Sequence, residues 1–99
     1  MTRERQVRVD EALEKCMKVI NKLNETTHSC DVTKNVKITS SLTIEINAIV
    51  NDFEDSAYYG KPMWFEVYAI KKGIAVDCMT IDMHRSVRAD ITYLLNCYI

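Results

Sequence analysis

The chain reads as a small α+β domain of order α-β-β-β-α, a three-stranded antiparallel meander with two helices packed on one face. Three observations predict it. Residues 9–25 carry an apolar stripe at spacings of three and four. Residues 36–50 alternate apolar and polar side chains at every second position. Pro62 and Lys72-Gly73 then punctuate the second half as strand start and tight turn.

The first helix is expected over residues 9–25, where Val9, Ala12, Leu13, Cys16, Met17, Ile20 and Leu23 form one apolar stripe. Asp10 suits the N-cap. Glu11 and Glu14 complement the positive end of the helix dipole, and Lys22 the negative end. Glu14 and Lys18 make a favourable pair four apart. Thr26-Thr27-His28-Ser29 should stop the helix, because short polar side chains compete for the backbone groups it needs.

One long strand is expected next. Its even positions read Val36, Ile38, Ser40, Leu42, Ile44, Ile46, Ala48 and Val50. Its odd positions read Lys37, Thr39, Ser41, Thr43, Glu45 and Asn47. Successive strand side chains point to opposite faces, so the even set should meet the core and the odd set water. Leu42, Ile46, Ile49, Val50, Phe53 and Ala57 also fit a helix capped by Ser40 or Ser41. The β-branched content, and an alternation that begins before any cap, favour a strand to about residue 48. Residues 51–60 are then a loop or a short helical turn. Pro62 opens the second strand, to about residue 71, and the third runs over 74–83. Gly73 supplies the positive φ that a two-residue hairpin turn requires. A final helix over 86–97 presents Val87, Ile91, Leu94, Leu95 and Tyr98 on one side, and its apolar end is most easily explained as docked. The whole, residues 1–99, is expected to be a single domain.

Composition excludes several classes. The hydrophobic share of 47% and the charged share of 27% are those of a folded protein. With 13 basic and 14 acidic residues the net charge is −1, which announces neither a polyphosphate nor an anionic membrane as partner. No apolar run approaches the roughly 20 residues that cross a bilayer. The start of the chain shows no signal-peptide h-region, which points to a cytoplasmic protein.

The chemistry-bearing residues are sparse. Cys16, Cys30, Cys78 and Cys97 lack Cys-x-x-Cys spacing, and His28 with Cys30 or Cys78 with His84 are the nearest approach to a ligand pair, so neither metal nor cofactor is expected. Free thiols are the default, with Cys16 and Cys78 on apolar faces. Cys30, beside His28 and Asp31, is the best candidate for thiol catalysis, but it has no further catalytic context and the expected protein is not an enzyme. Glu45, Glu66 and Asp77 read as solvated strand charges. With only Gly60 and Gly73 there is no phosphate cradle.

Counting out from Lys72-Gly73 predicts the faces of the hairpin. Ala69 should face Val76, Val67 Cys78, and Phe65 Thr80, all under the helices. On the open face Ile70 should meet Ala75, Tyr68 Asp77, Glu66 Met79, and Trp64 Ile81. An open face should be polar. This one would carry Trp64, Tyr68, Ile70, Met79 and Ile81, bordered by the loop with Tyr58 and Tyr59, in the composition of an interface core. The expected function is therefore a non-enzymatic protein-interaction module, a small regulator or inhibitor of the kind phages and mobile elements encode, binding a protein partner or a second copy as a homodimer.

The alternative is a nucleic-acid or nucleotide-binding module. Its candidate residues are Arg3, Arg5 and Arg8, with Arg85 and Arg88 at the start of the final helix. The α-β-β-β-α order resembles the double-stranded-RNA-binding domain, which implies RNA contact from the last helix. That family's lysine-rich helix start is matched only by Arg85 and Arg88, and its glycine-rich, histidine-bearing segment has no counterpart here.

Overall fold

The computed structural model describes residues 2–82 and 86–99. The elements are α1 (Arg3–Glu25), β1 (Val32–Lys37), β2 (Leu42–Val50), β3 (Pro62–Lys71), β4 (Ile74–Asp82) and α2 (Val87–Tyr98). The class is α+β, but the sheet has four antiparallel strands in the order β1-β2-β3-β4 rather than three. That extra strand separates the chain order from the double-stranded-RNA-binding pattern.

The fourth strand comes from a break in the expected long one. Thr39 Oγ1 accepts from the backbone N–H of Ser41 and of Leu42, at 3.2 and 3.0 Å, and the N–H groups of Ile38 and Thr39 reach the Leu42 carbonyl. These hydroxyl-driven turns fold residues 38–41 back on themselves. The alternation nevertheless holds within the strands: Val36, Leu42, Ile44, Ile46, Ala48 and Val50 are buried, while Ser40, in the turn, is exposed. Val36 pairs with Ile44, Lys34 with Ile46 and Val32 with Ala48, so even positions still point to the core on both strands. The helix considered for residues 42–57 is absent; β2 covers Leu42–Val50 with strict alternation of buried and half-buried residues.

α1 begins two turns earlier than its apolar stripe. Thr2, not Asp10, is the N-cap, accepting from Arg5 N–H, and Asp10 lies inside the helix as acceptor for Gln6 Nε2 at 2.8 Å. The added turns are held from outside. Arg5 Nε donates to the Ile99 carbonyl at 2.8 Å and its Nη2 to the Asn96 carbonyl. One guanidinium on α1 thus satisfies the C-terminal carbonyls of α2, which has no basic residue in its own last turn. The helices run antiparallel, for Arg88 at the start of α2 pairs with Glu14. Ser86 caps α2, accepting from Ala89 N–H. Between the helices and the sheet lies one core that includes Val9, Cys16, Ile20, Ile44, Ile46, Phe65, Val67, Ile81, Ile91, Leu94 and Leu95.

The predicted Lys72-Gly73 turn is present, with φ of 51° and 80°. The register beyond it is not as counted. Ile70 pairs with Ala75 as expected, but a bulge follows, and Ala69 pairs with Asp77, Val67 with Met79 and Phe65 with Ile81. A one-residue slip turns every later side chain to the other face. The driving force is burial. The uninterrupted register would put Thr80 against Phe65 in the core and Ile81 in water, whereas the bulged one leaves Ile81 fully buried, worth about 2 kcal/mol of transfer.

Candidate protein-interaction surface

Four cross-strand rows make the open face of the sheet. Across β1 to β4 they are Lys37–Thr43–Ile70–Ala75, Asn35–Glu45–Tyr68–Cys78, Thr33–Asn47–Glu66–Thr80, and the shorter Ile49–Trp64–Asp82. Of the residues expected here, Trp64, Tyr68 and Ile70 are on this face, each partly exposed. Met79 and Ile81 are not: the bulge turns both towards the helices, where Met79 packs on the core and Ile81 is part of it. Cys78 moves the opposite way, from an expected apolar face to the open one, where its thiol is exposed.

The face is therefore less apolar than expected and equally acidic, because Asp82 takes the place of Asp77 on it. Its strand charges are Glu45, Glu66 and Asp82 against Lys37. The polar groups are organised. Asn47 Nδ2 donates to Glu45 Oε2 at 3.0 Å, and Thr33 Oγ1 donates to Asn47 Oδ1. Tyr68 and Cys78 are cross-strand neighbours, and the Cys78 side chain, with the negative charge of Glu66 and Glu45 nearby, raises the phenol pKa. Hydrogen bonds along the face hold side chains in place before any partner arrives, which lowers the ordering cost of binding.

Tyr58 and Tyr59 belong to the loop of residues 51–61, which leaves β2 at Val50 and re-enters at Pro62, the Trp64 end of the sheet. The loop is compact. Asn51 N–H donates to the Lys61 carbonyl, Gly60 N–H to the Asn51 carbonyl, and Ser56 Oγ accepts from Asn51 Nδ2 and Tyr58 N–H. It presents Phe53 (65% exposed) and Tyr58 (73%) to solvent. Phe53 was missed by sequence reasoning. The available signal was an apolar residue inside the acidic run Asp52-Phe53-Glu54-Asp55, which only a solvent-facing loop accommodates.

Among the described arginines of the alternative, those at the start of α1 stand apart from Arg88. Arg5 is used on the end of α2 and Arg88 on Glu14, nine residues further along α1, about 13 Å by helix rise. Arg3 and Arg8 are exposed on the first turns of α1. Arg85 and His84 lie outside the described residues. Cys30 is exposed in the α1–β1 connection. His28 Nε2 there contacts Thr26 Oγ1 and the Leu23 carbonyl at 2.9 and 3.0 Å, and Asp31 Oδ1 accepts from Val50 N–H. His28 and Asp31 thus serve the loop. Among the described residues no cluster of three metal-ligating side chains occurs, and no helix is long and apolar enough to cross a membrane. Comparison with protein-family models, curated proteins and solved structures gave no match.

Proposed function

We propose that the protein is a non-enzymatic interaction module whose open sheet face, continued by the loop of residues 51–61, docks a protein partner with a basic surface. The observation that carries the reading is the uncovered face itself. Trp64, Tyr68 and Ile70 stand among Glu45 and Glu66 on rigid strands, with Phe53 and Tyr58 displayed at one end. Aromatic anchors surrounded by charge are what hot spots are built from. A small regulator or inhibitor acts by such a surface.

The charge pattern argues for a different protein over a second copy. Two-fold pairing of this face would set one net-acidic surface, with Glu45, Glu66 and Asp82 against Lys37, on another, and like charges across an interface oppose association. The test places a photo-crosslinking amino acid at Thr43 or Thr80 in the native host and compares adducts of the parent with those of a Glu66→Lys, Tyr68→Ala variant. A discrete adduct from the face, lost in that variant and kept in Lys34→Glu, supports the reading. The same adducts in both variants, or adducts only with the chain itself, overturn it.

A further inference from the structure

A second surface lies on the opposite side of the molecule, where the last turns of α1 run beside β1. The strand order leaves β1 as one edge of the sheet, so one side of its backbone has no neighbouring strand. Between this edge and α1 is a groove of about 370 Å³ lined by Val19, Lys22, Leu23, Thr26, Val32 and Lys34, with His28 at its end. Its floor is apolar: Leu23 is buried, and Val19 and Val32 are partly buried against the core. Its rim is cationic. Among the described residues neither Lys22 nor Lys34 has a carboxylate within ion-pair distance.

We infer that this groove binds an acidic peptide segment in extended form, which adds to β1 as a fifth strand. Each part of the chemistry has its place. The free edge of β1 offers backbone N–H and C=O groups in the spacing of a strand. β1 has six residues, about 20 Å of ladder. Val32 and Lys34 share the helix-facing side, for they pair with Ala48 and Ile46 of the core face. A strand laid on β1 therefore sends every second side chain into the groove. The residue opposite Val32 meets Val19 and Leu23 and should be aliphatic. The next inward residue lies opposite Lys34, beside Lys22, and should be a carboxylate. The recognised pattern is aliphatic–any–acidic, read along an extended strand in either direction. The outward residues lie beside Thr33 and Asn35, which ask only for polar side chains. This surface is independent of the open face, whose charge is of opposite sign.

The test uses a fluorescein-labelled heptapeptide with valine at its second and sixth positions, glutamate at its fourth and threonine elsewhere. Anisotropy is followed at low salt with the full chain. Saturable binding is expected, weakened about tenfold by Lys22→Glu with Lys34→Glu, and lost when the glutamate of the peptide is replaced by lysine. N-methylation of the peptide amides on one side of the strand should abolish binding while methylation on the other side leaves it, an arm that does not touch the fold of the protein. No saturation at millimolar peptide, equal binding by the double variant, or indifference to N-methylation overturns the inference. So do peptide-induced amide shifts centred on Tyr68 and Trp64, which would leave the open-face reading standing. A concentration-dependent dimer in sedimentation that Lys34→Glu removes would assign the groove to a second copy and overturn it too.

Discussion

Asp77 shows how much one side chain does in this structure. Its Oδ2 accepts from Tyr98 Oη at 2.8 Å, tying the end of α2 to the sheet, and its Oδ1 accepts from the N–H of Cys78 at 2.8 Å. An inward-pointing charge beside a bulge on an edge strand is a known guard against edge-to-edge pairing, and here it also occupies one of the strand's own donors. Gly60 is the other position where a single residue decides local structure. Its φ is +79°, its carbonyl accepts from His28 N–H at 2.9 Å, and an added Cβ would stand 2.4 Å from Thr27 Cγ2 and 2.9 Å from the His28 carbonyl. Gly60→Ala should therefore destabilise the chain by about 2–3 kcal/mol, from left-handed strain together with the clash. Urea unfolding measures this, and a loss below about 0.5 kcal/mol would mean that the loop relaxes freely.

The bulge in β4 is the element that redistributes side chains between the core and the open face. By turning Asp77, Met79 and Ile81 inwards and Cys78, Thr80 and Asp82 outwards, it makes the open face more polar between its aromatics and leaves its acidic charge unchanged. Core and surface roles separate in the energetics. Ile81→Ala should cost about 3 kcal/mol, because it opens a cavity between Phe65 and the helices. Trp64→Ala, on the open face, should cost about 1 kcal/mol or less, since it leaves no sealed void. Equal losses in chemical denaturation would contradict the register. α1 shows a related effect. Its polar first turns have no apolar stripe to hold them, and their helicity depends on Arg5 reaching the carbonyls of α2.

At the scale of the whole molecule, the two layers leave surfaces of opposite character: an acidic, aromatic sheet face and a basic groove beside β1. Stability should respond to alkaline pH. Burial pushes the Cys16 thiol from 9.0 up to about 12, and the hydrogen bond to Asp77 takes Tyr98 from 10.0 to about 12. Both folded values lie above the unfolded ones, so the folded state holds more protons between them. Their contribution is complete below about pH 9 and is lost as pH rises from 9 towards 12. Melting temperature followed from pH 7 to 11 should stay level and then fall, and in Cys16→Val the thiol's share of that fall should vanish. A profile unchanged by this substitution would show that the thiol titrates no differently on folding.

What the sequence determined by itself was periodicity. The stripe of α1, the even and odd faces across residues 36–50, the Lys72-Gly73 turn and the amphipathic end of α2 follow from spacings that are local and repeat. Trp64 and Tyr68 were legible as surface candidates for the same reason, and Tyr58 from its place in the loop before Pro62. The tertiary structure decided where the long strand folds back, where the sheet takes a bulge and which arginines have work inside the fold. These outcomes are competitions between non-local terms. Thr39 supplies the turn, but pairing of Val36 with Ile44 makes it worth forming. Ile81 enters the core only because Phe65 and the helices are there to receive it. No count along the chain contains that energy, so a single inserted residue at Val76 was enough to reverse the assignment of a face.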